Sequence, residues 1–166
     1  MGTRRTRTIL GTAAAAAVTA ALVAGPAGAD DGGRPYRLEM SGAQEFNAAG
    51  VPINPHGDDD RGSIELRLNP GQQEVCWTVG EITMTAGEAL PTAAHIHQAP
   101  AGVAGPVVIP LFGTPATPAP TSYPTATTCV PADRALILDI FRDPSGYYVN
   151  LHNPTHPGGV MRAQLG

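Results

Sequence analysis

Short stretches in which apolar and polar residues alternate strictly, each closed by glycine or proline, constrain this chain more than any other feature. A period of two places every second side chain on one face of an extended strand, the pattern of half-buried sheet. Tyr36, Leu38 and Met40 alternate with Arg37, Glu39 and Ser41; Ile64, Leu66 and Leu68 alternate with Ser63, Glu65 and Arg67. Val75, Trp77 and Val79 alternate with Glu74, Cys76 and Thr78, and Asn69-Pro70-Gly71 between the last two runs reads as a hairpin turn. Further strands are expected at 93–97, 107–112, 147–152 and 160–165. Residues 82–91 read as a connection and the Pro/Thr/Ala-rich stretch 113–128 as an exposed loop with polyproline character. Residues 133–142 fit either a short helix stopped by Asp143-Pro144 or a strand, since Leu136, Leu138 and Ile140 also alternate. With 20 Gly and 17 Pro among 166 residues, the composition argues for many turns and against a helical bundle. The expected fold is all-β: an antiparallel, Greek-key-like β-sandwich of about seven or eight strands with at most one short helix.

The N-terminal segment reads as an address. Arg4, Arg5 and Arg7 precede a charge-free stretch rich in Ala, Val and Leu, then Gly25-Pro26 and the small residues Ala27-Gly28-Ala29. This is the pattern of a secretory signal peptide over 1–29, leaving a domain over 30–166, exported by a route the sequence does not decide. A membrane anchor is the weaker reading, because the stretch is short and weakly apolar. No later run is apolar enough to span a bilayer. The formal charge is −4 and every basic residue is Arg. Nucleic-acid backbones and anionic membranes are therefore poor partners, and a lysine Schiff base is impossible. An extracellular or cell-envelope partner is the expectation. Two cysteines, Cys76 and Cys129, in an exported chain predict a disulfide; a pair of thiolate metal ligands is the alternative.

Five histidines carry the chemistry. His95 and His97 flank Ile96, so on a strand both imidazoles leave the same face. On the strand 147–152, Tyr148, Asn150 and His152 share the face opposite Tyr147, Val149 and Leu151. Two His at i and i+2 with a third from another strand suit copper or zinc and leave a fourth position open. Structural hydrogen bonding is the competing account of His95, His97 and His152. His156 could add a ligand from a loop, and His56 beside Asp58-Asp59-Asp60 reads as a solvated acidic loop before a metal patch. No nucleophile motif, phosphate loop or paired catalytic carboxylate is present. No catalytic residue is assigned, and an enzyme is the less favoured reading.

Ala94-His95-Ile96-His97, followed by Gly102, Gly105-Pro106-Val107-Val108 and Leu111, and Tyr148-Val149-Asn150-Leu151-His152, followed by Pro157, Gly159, Arg162, Gln164 and Leu165, occur in that order. With Gly42-Ala43-Gln44-Glu45 upstream, the chain resembles the chordin-type (CHRD) domain family from about Tyr36 to Leu165. The chain departs from the family at Val160, where Glu is usual, and at Ala163, where Gly is usual. The resemblance implies an extracellular antiparallel β-sandwich, with Asn150, Gly159, Arg162 and Gln164 as structural motif residues. Family members occur in animal growth-factor antagonists and as small exported microbial proteins; this leader looks bacterial, so growth-factor binding is not carried over. A fainter similarity of the H-x-H strand to copper-zinc superoxide dismutase asks for a bridging His and a steering Arg, for which Arg162 is the C-terminal candidate. Two functions follow: a non-catalytic binding or envelope-associated module, or a copper- or zinc-binding protein using His95, His97 and His152, with superoxide dismutase-like redox chemistry as a special case.

Overall fold

The structure, a computed structural model, describes residues 1–2, 33–47, 49–53 and 59–166. The leader reading over 1–29 falls almost entirely outside the described residues, as do His56 and Asp58. Eight strands form one antiparallel sheet: β1 (Arg34–Ser41), β2 (Arg61–Asn69), β3 (Glu74–Thr83), β4 (Ala93–Gln98), β5 (Val107–Phe112), β6 (Thr128–Pro131), β7 (Tyr147–His152) and β8 (Met161–Gln164). Their spatial order is β5-β4-β7-β8-β1-β2-β3-β6. β8 meets β1 through one residue pair, Ser41 opposite Arg162. The sheet bends there into two halves, and the edge strands β5 and β6 come near each other. Trp77 of β3 and Phe112 of β5 pack across the interior with ring centroids 5.0 Å apart. The result is the expected antiparallel sandwich, made from one sheet curled on itself.

The core follows the alternation. Ile64, Leu66, Leu68, Val75 and Val79 from one half face Ala94, Ile96, Val149, Leu151 and Met161 from the other, all buried. Burial of each large aliphatic side chain contributes about 1.5–3 kcal/mol. Asn69 closes the β2–β3 hairpin, its Oδ1 accepting from Gly71 and Gln72 backbone N–H groups. Cys76 and Cys129 face each other on β3 and β6 and are disulfide-bonded.

Between the two readings of 133–142, the structure selects the helix, α1 (Arg134–Arg142). Asp133 caps it, its carboxylate accepting from the Ala135 and Leu136 backbone N–H groups. Ile137 and Ile140, three apart, turn one stripe into the core. β3 runs on through Ile82 and Thr83, beyond the expected start of a connection. The 113–128 stretch ends in a short strand, β6, that alternation did not expose. Among the described residues no helix is long and apolar enough to cross a membrane.

Candidate metal centre

β4 and β7 are antiparallel neighbours, with Ala93 opposite His152, His95 opposite Asn150 and His97 opposite Tyr148. β8 continues the same register, with Arg162 opposite Asn150 and Gln164 opposite Tyr148. Partners directly across a ladder share a face. His95, His97, Tyr148, Asn150, His152, Arg162 and Gln164 therefore stand together on the outer face, while Ala94, Ile96, Val149 and Leu151 fill the core behind them. Register shifts between β4 and β5 fall beside both His95 and His97. Bulges of this kind re-aim side chains.

The outer face is polar but covered. The connection between β4 and β5 folds back over it, held by Arg162, whose guanidinium donates to the Val103 carbonyl at 2.8 Å and the Pro100 carbonyl at 2.9 Å. Arg162 also donates to Gln164 Oε1 at 3.0 Å, and Gln164 in turn donates to the Ala99 and Ser145 carbonyls. The guanidinium lies 3.4 Å from the Tyr148 ring centroid, and Tyr148 stacks on His97 at 4.8 Å. Gly105 is fixed by the same clamp: its N–H donates to the Tyr148 hydroxyl, and a Cβ there would collide with the Gln98 carbonyl oxygen.

One imidazole nitrogen from each of His95, His97 and His152 lies within 4.8 Å of the other two. His97 Nδ1 donates to the Gly105 carbonyl at 2.8 Å, and His152 Nδ1 donates to the Pro157 carbonyl at 3.1 Å. Each contact fixes the neutral tautomer with its lone pair on Nε2. His95 Nδ1 and His152 Nε2 are 3.0 Å apart, and with the His152 lone pair as acceptor, His95 donates. His97 Nε2 is buried and has no hydrogen-bond partner. Burial, with repulsion from neighbouring imidazoles, lowers the His95 pKa and pushes His152 down to about 4. Burial also lowers that of His97; the Gly105 carbonyl and the neighbouring Asn150 side chain oppose the shift and Arg162 adds to it. At neutral pH all three are uncharged, the state that coordinates a metal.

Copper and zinc imidazole bonds of about 2.0–2.1 Å hold neighbouring ligand nitrogens roughly 3–3.4 Å apart. The 3.0 Å between His95 Nδ1 and His152 Nε2 meets that spacing only once the His95 proton moves to Nε2 and their hydrogen bond is given up, and the His97 nitrogen, within 4.8 Å of the others, has to close in as well. Carbonyls that orient the far ring nitrogens are the usual outer support of metal-bound histidines. With that rearrangement the three imidazoles could supply nitrogen donors to a copper or zinc ion.

Of the remaining sequence candidates, His156 belongs elsewhere. Its Nε2 lies 2.8 Å from Glu88 Oε1, and Asn153 donates to Glu88 Oε2 and the Ala89 carbonyl. This clasp holds the loop that presents the Pro157 carbonyl to His152. Glu74 with Cys76 and Cys129 forms the other cluster of ligand-type atoms among the described residues, but both sulfurs are spent in the disulfide. Asn150 and Arg162 lie in the supporting layer behind the triad. Gly159, at φ 136°, leaves room for the Glu45 carboxyl, which any Cβ there would strike.

Glu45 is the functional-looking residue that alternation missed. It is 1% exposed, its Oε1 lacks a partner, and burial pushes its pKa up to about 8 against the opposing pull of Arg162 and Asn150. Its only sequence signal is its place in Gly42-Ala43-Gln44-Glu45, after β1.

The fold and this face define a class: an antiparallel β domain carrying a histidine triad on a loop-covered outer face. Residues 36–165 match the CHRD domain family, and the chain belongs to it. No curated protein and no solved structure matches the chain.

Proposed function

We propose that this CHRD domain is an exported, non-catalytic binding module whose ligand is a copper or zinc ion held by His95, His97 and His152. The observation that carries the reading is the buried lone pair of His97 Nε2, unpartnered beside two other neutral imidazoles. A buried acceptor with no partner costs about 1–3 kcal/mol, and a metal bond removes that cost. Export rests on the leader pattern of residues 1–29, and an oxidising compartment suits the disulfide.

Superoxide dismutase-like turnover is not favoured. Arg162 is 2% exposed and its guanidinium is committed to two carbonyls, Gln164 and the Tyr148 ring, so it steers nothing from solvent. A purely structural triad is the second reading, and the 3.0 Å His95–His152 hydrogen bond favours it.

Calorimetric titration of the purified domain with zinc and with copper separates the two. The metal reading predicts one ion per chain, lost in a His95→Ala/His97→Ala variant that keeps its β-sheet circular dichroism. Absence of stoichiometric binding in the parent protein would leave the structural reading.

A further inference from the structure

The triad opens onto a cavity of about 490 Å³ that it shares with Ala93, Ala104, Val107, Pro154 and Pro157. That volume is within the range of small-molecule sites. Three features of this groove describe its ligand.

The walls are largely apolar, and none of the residues lining the groove is Asp, Glu, Lys or Arg. The wall amide of Asn153 is already engaged, donating to Glu88 and Ala89 and accepting from the His156 N–H. The nearby acids are committed as well: Glu88 to His156 and Asn153, while Glu45 is buried in the layer containing Asn150 and Arg162. Three neutral imidazoles would leave the charge of a divalent ion uncompensated, in a groove whose low polarity strengthens attraction for an anion. An incoming anion can supply part of the balancing charge, and the rest of that molecule has to suit alanine, valine and proline.

Resting on the metal reading above, we infer that the groove binds a small monoanion with an apolar body, of the carboxylate class. The carboxylate occupies the open coordination position, and the hydrocarbon part lies against Ala104, Val107, Pro154 and Pro157. A neutral molecule of the same shape lacks the charge; a bare small anion lacks the apolar contact.

The test is calorimetry on the zinc-loaded domain, with metal content measured on the same sample, using acetate, hexanoate and hexanamide. Hexanoate has four more methylenes than acetate. At about 0.8 kcal/mol for each fully buried methylene, even half-burial predicts hexanoate binding at least tenfold more tightly than acetate. Hexanamide binds at least tenfold more weakly than hexanoate, and metal-free protein binds neither. Val107→Asn, on an exposed position of edge strand β5, cuts the hexanoate preference by about threefold while metal content and acetate affinity stay unchanged. If zinc is held but acetate and hexanoate bind alike, or hexanamide equals hexanoate, the ligand assignment is overturned and the metal reading stands. Undiminished hexanoate binding to metal-free protein overturns it too. Failure to hold zinc removes both.

Discussion

Glu45, His97, Asn150 and Arg162 are all buried, and all gather behind or within one histidine cluster. Such groups are expensive to bury, and three atoms among them, Glu45 Oε1, His97 Nε2 and Asn150 Oδ1, lack a partner. Glu45 gives a sharp pH prediction. A carboxyl whose folded pKa is raised from 4.5 to about 8 stabilises the fold fully below its unfolded pKa, and that contribution falls away as pH rises through the folded value. Urea midpoints of the parent protein should therefore decline relative to Glu45→Gln between about pH 5 and pH 8. Parallel profiles would mean that Glu45 is ionised and solvated. His152 works in the opposite direction. Its folded pKa of about 4 lies below the ordinary 6.5, so its contribution is complete above 6.5 and disappears as pH falls through about 4. Metal should accordingly stay bound on mild acidification through pH 6.5 and leave as the pH approaches 4, which metal analysis after dialysis would show; release centred at 6.5 would contradict the burial of the triad. Arg162→Met strands the Pro100 and Val103 carbonyls and should lower stability by about 2–4 kcal/mol in urea unfolding. It should also weaken metal binding by about 10–100-fold, because the loop that presents the Gly105 carbonyl to His97 is released.

Individual elements were legible where the residues alternate and opaque where tertiary packing decides. β5 and β7 coincide with their expected ranges, β5 as a continuous apolar run and β7 as an alternating one, and β1, β2 and β4 extend theirs by at most two residues at either end. α1 was ambiguous because Leu136, Leu138 and Ile140 fit period two while Ile137 and Ile140 fit a helical stripe; the Asp133 cap, a local hydrogen-bonding choice, tips the balance. β6 was hidden because a four-residue edge strand, Thr128–Pro131, is defined by its pairing with β3 and by the disulfide rather than by pattern. Replacing Cys76 and Cys129 together by Ala should lower stability by about 4 kcal/mol, the chain-entropy value for a separation of 53 residues, measured by urea unfolding. Metal affinity should not change, because the disulfide joins β3 to β6, in the half of the sheet that lacks the triad.

The whole molecule divides its labour at the β8–β1 bend. One half, β1-β2-β3-β6, is cross-linked by the disulfide; the other, β5-β4-β7-β8, turns its outer face into a loop-covered polar layer. The i, i+2 spacing of His95 and His97 and the face of His152 could be read from the chain alone. That β4 and β7 are neighbours could not, because it depends on how distant segments pair. Nor could the sequence place Glu45 or commit Arg162 to the 99–105 loop. Both depend on a polypeptide segment folding back over the sheet, which no periodicity encodes. Whether this covered face holds a metal through three imidazoles is decided at the metal itself. X-ray absorption at the metal edge of the zinc- or copper-loaded domain tests it most directly. Three nitrogen scatterers at about 2.0–2.1 Å with the outer-shell pattern of imidazole rings are expected, lost in His95→Ala/His97→Ala. A bound metal whose shell contains oxygen alone, or an unchanged spectrum in the variant, would contradict it.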